Sequence, residues 1–176
     1  MGSAFEIYRN NLETVSAALW RRDLAVLLQH TALPNRVATL DREIVLSSRE
    51  DMCLAMTEFR DHLDRRGAEA YVRSALSAEF AGSGETTILG THMTRILRNG
   101  RPLVAPFLNR MTLLRIDGAW KSAFVEADTT SNICPYVAED LAAAQRAHHA
   151  RLDRLTKTRG RGTLPDHGAA GAASSP

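Results

Sequence analysis

The 176-residue chain is 44% apolar and 24% charged, with 22 Lys+Arg against 20 Asp+Glu. That is a globular composition, long enough to bury a core without cystine staples, so a disordered chain, a collagen-like repeat and a disulfide mini-protein are excluded. No apolar run reaches the roughly 18 residues of a membrane span, and the N-terminus lacks a basic–apolar–small secretion pattern, so the expectation is a cytoplasmic protein with no membrane partner.

Charge is uneven along the chain. Residues 1–145 hold 16 basic and 18 acidic side chains, and residues 146–176 hold six basic against two acidic. Twenty of the 22 basic residues are Arg, spread along the whole length rather than gathered in one patch, so nucleic acid is not an expected partner. Cys53 and Cys134 lie far apart, with no C-x-x-C, and read as free thiols. His148 and His149 are adjacent and face different directions on a helix, and no H-x-x-x-H occurs, so neither a metal nor a cofactor is expected.

Ser3-Ala4-Phe5-Glu6 is a capping box, and Tyr8, Leu12, Val15 and Leu19 follow at helical spacing, which predicts a helix over 4–20. Asp23 opens a second short apolar run, Leu24 to Leu28, which Leu33-Pro34 stops. Residues 36–46 are β-branched around Asp41-Arg42 and read as a short strand pair. Ser48 with Asp51 caps a third helix, with Met52, Met56, Phe59 and Leu63 as its apolar stripe and Gly67 as its stop.

Four long strands follow, at 70–81, 85–98, 103–116 and 119–128. Gly82-Ser83-Gly84, Asn99-Gly100 and Asp117-Gly118 mark the turns, and Pro106 marks an expected bulge in the third strand. A last helix is predicted over 137–156, and the Gly/Pro/Ala/Ser-rich end reads as disordered tail. The expected fold class is α+β: a curved antiparallel sheet with three N-terminal helices forming a half-cone, plus a C-terminal helix and the tail. The expected division is a cone domain over 1–130, the helix within 131–157 and the tail over 158–176.

The order and spacing of four features resemble the nuclear-transport-factor-2-like superfamily, the cystatin-like cone, and within it the polyketide-cyclase-like branch. These features are Arg22-Asp23-Leu24, Leu33-Pro34, the cap Ser48-Arg49-Glu50-Asp51, and Arg115-Ile116-Asp117-Gly118-Ala119-Trp120. The resemblance covers about residues 4–130. It implies a pocket between helices and sheet, lined by Phe107, Asn109, Met111, Ala123, Val125 and Ala127. It also implies an outer face carrying Arg110, Trp120, Ser122, Phe124 and Glu126, through which such proteins dimerise.

Strand parity alone leaves the face open. A two-residue turn at Asp117-Gly118 pairs Asn109 with Glu126, and a three-residue turn pairs Asn109 with Val125. The resemblance places Thr39, Val15 and Met111 where ketosteroid isomerases carry their base, tyrosine and acid. None of the three has that chemistry, and Asp41 is the nearest carboxylate. The expected ligand-binding residues are therefore Thr39, Phe107, Asn109, Met111 and Val125, around a small apolar ligand. No catalytic residue is assigned. The alternative is an isomerase, cyclase or dehydratase using His92 with Asn109, Glu126 or Asp41.

Overall fold

The chain divides into two units, Met1–Gln145 and Arg146–Pro176. The computed structural model describes residues 2–133, all in the first unit, and residue 150. The predicted helix over 137–156, apart from helical Ala150, and the predicted tail lie outside the described residues, as does Cys134.

Helix α1 spans Ala4–Arg21 and buries Tyr8, Asn11, Leu12, Val15, Ala18 and Leu19 on one face. Ser3 and Glu6 cap it reciprocally. Helix α2 is short, Leu24–Gln29, with Asp23 accepting from the Val26 amide at its start. Helix α3 spans Arg49–Arg65 and carries the second capping box, Ser48 with Asp51. Its Met52, Met56, Phe59 and Leu63 are buried at the expected spacing, and Gly67 ends it at a positive φ of 70°.

The strands are β1 (Thr31–Ala38), β2 (Glu43–Leu46), β3 (Ala70–Phe80), β4 (Thr87–Arg98), β5 (Arg101–Pro102), β6 (Phe107–Ile116) and β7 (Ala119–Ala127). They form one sheet in the order β2-β1-β7-β6-β4-β3, with the short β5 beside β4. The expected four-stranded meander is present as β3-β4-β6-β7. The sheet as a whole is mixed rather than antiparallel, because β1 lies parallel to β7. Nothing local signals that pairing, since its partners stand about 90 residues apart in sequence, as Arg36 with Phe124. Pro106 also differs from expectation: it sits in the link before β6 and interrupts no strand.

Two bulges bend the sheet. Leu76 is an extra residue in β3, between the pairs Ala75–His92 and Ser77–Thr91. Ala123 is an extra residue in β7, since Leu113 pairs with Ser122 and Thr112 with Phe124. The Asp117-Gly118 turn holds two residues, and the bulge then shifts Asn109 opposite Ala127, neither of the two expected partners. The bulge also reverses the side-chain phase along β7. Val125 and Ala127 face inward as expected, but Ser122 and Trp120 face inward too, correcting their placement on the outer face.

The helices cover the inner face of the sheet. Around α3 the core gathers Leu19, Leu27, Leu46, Met52, Met56, Phe59, Leu63, Ile96 and Phe107. Around the start of α1 it gathers Tyr8, Leu12, Ile88, Met111 and Leu113, with Trp120 and Phe80 against them.

Gly90, in the middle of β4, explains how α1 comes so close. A β carbon there would stand 2.4 Å from Cε2 and 2.6 Å from Cδ2 and Cζ of the Tyr8 ring. Tyr8 has no exposed surface and no room to retreat. Gly90→Ala should lower the unfolding free energy by about 1–3 kcal/mol in urea denaturation, the usual range for overpacking a core. Gly84→Ala, at a roomy turn position with ordinary φ, should leave it unchanged. Equal midpoints for the two variants would show that the ring is not seated on Gly90.

Candidate functional site

Between the helices and the inner sheet face lies a cavity. α1 contributes Asn11 and Val15, α3 contributes Met56 and Phe59, and β1 contributes Thr31, Asn35 and Val37. Tyr71, Arg73, His92, Phe107, Asn109, Met111, Ser122 and Val125 come from β3, β4, β6 and β7. About 40 Å3 is open to the centre of a water-sized sphere. That is room for about three waters at ~10–15 Å3 each. Counted out to the mouth, and including space open to solvent, the non-atom volume is about 650 Å3. The enclosed part is thus a small slot, since the larger figure counts space open to solvent.

Four of the five expected ligand-binding residues line this slot: Phe107, Asn109, Met111 and Val125. Thr39 does not. It lies just past the end of β1, where its hydroxyl donates to Asp41 Oδ1 at 3.0 Å, and Asn35 and Val37 of β1 take the inward positions instead. Asp41 is away from the cavity as well. Its two oxygens accept from the Ser131 amide and hydroxyl, each at 2.8 Å, so it ties its loop to the segment after β7. Those bonds hold its carboxyl below the usual range. Glu126 faces the outer side, where it pairs with Arg110 at 3.4 Å. The suggested His92–Asn109–Glu126 cluster therefore does not form. His92 and Asn109 do share the inner face, directly opposite one another across β4 and β6.

His92 is 1% exposed. Its Nδ1 stands 2.7 Å from the Tyr8 hydroxyl. Tyr8 is fully buried, and Nδ1 is its hydroxyl's only hydrogen-bond partner among the described residues. A buried phenol keeps its proton on a partner, so Tyr8 donates to Nδ1. That fixes the neutral tautomer with the proton on Nε2. Burial, reinforced by the Arg73 charge, pushes the His92 pKa down to about 3. Burial likewise raises the Tyr8 pKa well above its ordinary value. Both members of the dyad are uncharged near neutral pH.

The neighbouring polar groups are held by bonds of their own. Asn109 donates through Nδ2 to Thr94 Oγ1 at 2.8 Å. Asn35 donates to the Ser122 carbonyl at 2.7 Å, where the β1–β7 ladder is irregular. Asn11 donates to the Trp120 carbonyl at 3.3 Å, and its own Oδ1 is buried without a hydrogen-bond partner. Among the described residues no Asp or Glu lines the cavity, and no group of three or more His, Cys, Asp or Glu is placed to hold a metal.

No family model matches the sequence, and no curated protein matches it. Solved structures do. An NTF2-like protein with a cystatin-like fold from Novosphingobium aromaticivorans is similar at 14% identity over 72% of this chain and 81% of that one, with a TM-score of 0.54. An NTF2-like protein of unknown function from Shewanella oneidensis is similar at 10% identity over 70% and 97%, with a TM-score of 0.55. One from Cytophaga hutchinsonii is similar at 12% identity over 71% and 97%, with a TM-score of 0.50. The chain has the NTF2-like fold. At these identities the likeness carries architecture and no chemistry.

In this NTF2-like cone the site was only partly foreseeable. Tyr8 reads in the sequence as one more apolar-stripe residue of α1. A glycine in the middle of a strand was the available signal for a close-packed partner. Arg73, Asn11 and Asn35 carry no motif.

The neutral imidazole has a consequence for stability. His92 has its pKa lowered on folding, so between about 6.5, its unfolded value, and about 3 the unfolded chain binds the extra proton. Its contribution is complete above pH 6.5 and is lost as pH falls toward 3. The slope is at most about 1.4 kcal/mol per pH unit for one proton. Urea midpoints from neutral to mildly acidic pH should fall for the wild type, and His92→Gln should flatten that dependence. Parallel curves for the two proteins would mean that His92 is not held neutral.

Proposed function

We propose that the protein is a small-molecule-binding cone that takes a compact, largely apolar ligand in the slot between α1, α3 and the sheet, without turning it over. One observation carries this reading: apolar walls from Val15, Val37, Met56, Phe107, Met111 and Val125 share the cavity with a neutral His92 backed by Tyr8, and no carboxylate lines the cavity among the described residues. Isomerase- or cyclase-type chemistry calls for a base with a pKa near the working pH. A histidine with a pKa of about 3 is a poor proton acceptor there. The slot admits a small ligand end as it stands, and Met56 and Met111, unbranched and adaptable, are the side chains that would make more room.

A homodimer through the outer sheet face belongs to the same proposal. That face carries Leu89, about half exposed, near Phe124 and the Arg110–Glu126 pair. Apolar side chains among a few charges suit a protein interface.

An enzymatic reading is favoured by one feature. A neutral imidazole with its proton on Nε2, opposite Asn109, can polarise a carbonyl by donating a hydrogen bond. It would act in an isomerase, cyclase or dehydratase on a hydrophobic substrate.

Native mass spectrometry of the protein purified without added ligand tests the main reading. The expected result is a dimer carrying a small apolar compound, with the adduct lost and the dimer kept in Met111→Trp, which fills the slot. A protein that arrives empty and takes up none of benzoate, benzamide or benzyl alcohol contradicts it. Turnover of a hydrophobic ketone or epoxide, abolished by His92→Gln, would instead establish the enzyme.

A further inference from the structure

Arg73 is the one cation lining the cavity among the described residues. It sits on β3 opposite Thr94, while Ala75, two residues on, sits opposite His92. Arg73 and His92 are therefore diagonal neighbours on one face, within reach of a single small group between them. Arg73 Nε donates to Ser16 Oγ at 2.8 Å, and Nη2 donates to the Leu12 carbonyl at 3.2 Å. Both acceptors are neutral. A guanidinium has five N–H donors, so three remain.

No carboxylate of the described residues stands within ion-pair distance of Arg73. Glu13 and Glu69 line a shallow groove on its other side without pairing to it. A half-buried cation facing an apolar slot without a counter-ion is costly, and an anionic occupant relieves that cost. Beside it the Tyr8-fixed tautomer of His92 keeps a proton on Nε2, a second donor toward the same space. Asn11 Oδ1, buried and unpartnered in the same lining, is an acceptor that a hydroxyl could complete.

Resting on the ligand-binding reading above, we propose that the natural ligand is a small apolar carboxylic acid, bound as its carboxylate between Arg73 and His92 Nε2–H with its body toward Met56, Phe107 and Met111. One positive charge in the lining matches a monoanion, and the two carboxylate oxygens suit the guanidinium fork. A phosphate dianion would bring more charge than the lining balances.

The test is isothermal titration at neutral pH with benzoate, benzamide and benzyl alcohol, which share a ring and differ in head group. Benzoate should bind at least tenfold tighter than either neutral probe, the scale of one charge-assisted hydrogen bond. Arg73→Gln should erase that preference and leave benzamide and benzyl alcohol binding as before. Arg73→Lys should retain part of it. Because Arg73 also bonds to α1, the wild-type ratio and the Lys variant decide the matter if the Gln variant does not fold. Equal binding of the three probes, or a preference that survives in Arg73→Gln, overturns the carboxylate assignment and leaves the pocket reading standing. Binding of none of them by a protein that also arrives empty overturns both.

Discussion

The inner architecture depends on the seat of one aromatic ring. The Tyr8 ring packs against the backbone at Gly90, closer than any β carbon would permit, and its hydroxyl reaches the neighbouring inward residue of the same strand, His92. The contact sets how near α1 comes to the sheet and so how narrow the slot is. It also commits Nδ1 of the imidazole and with it the tautomer, while burial and the Arg73 charge keep the ring neutral. A glycine, a phenol and a histidine thus link strand packing to the chemistry the cavity presents.

Much of the architecture was legible. Both capping boxes, the apolar stripes of α1 and α3 and the turns at Asn99-Gly100 and Asp117-Gly118 are local features, and local physics sets them. Two things were not legible, and both are non-local. The parallel pairing of β1 with β7 joins segments distant in sequence, and no short-range pattern encodes it. The bulge at Ala123 replaces no residue type with another, yet it turns Trp120 and Ser122 from the outer face to the inner one.

The site follows the same division. Phe107, Asn109, Met111 and Val125 were recoverable because the resemblance chose the face that strand parity left open, and the bulge at Ala123 brings Val125 opposite Met111 on that face. Thr39 was misplaced because β1 delivers its inward side chains earlier, at Asn35 and Val37. Asp41 and Glu126 drew attention as carboxylates, but each is spent elsewhere, on Ser131 and on Arg110. Tyr8 and Arg73 were missed because an aromatic on an apolar stripe and one arginine among twenty look ordinary until the fold brings Arg73 to the cavity and Tyr8 behind His92. The proposed ligand-binding reading rests on what these residues leave in the slot: apolar walls, a neutral imidazole and one cation.

The most direct measurement is the long-range 1H–15N spectrum of the His92 imidazole, assigned by comparison with His92→Gln. The account predicts a protonated Nε2 and an unprotonated Nδ1 that accepts from Tyr8, unchanged from about pH 8 to about pH 5, across the range where an ordinary histidine titrates. A proton on Nδ1, or a titration near the ordinary histidine value, would contradict it.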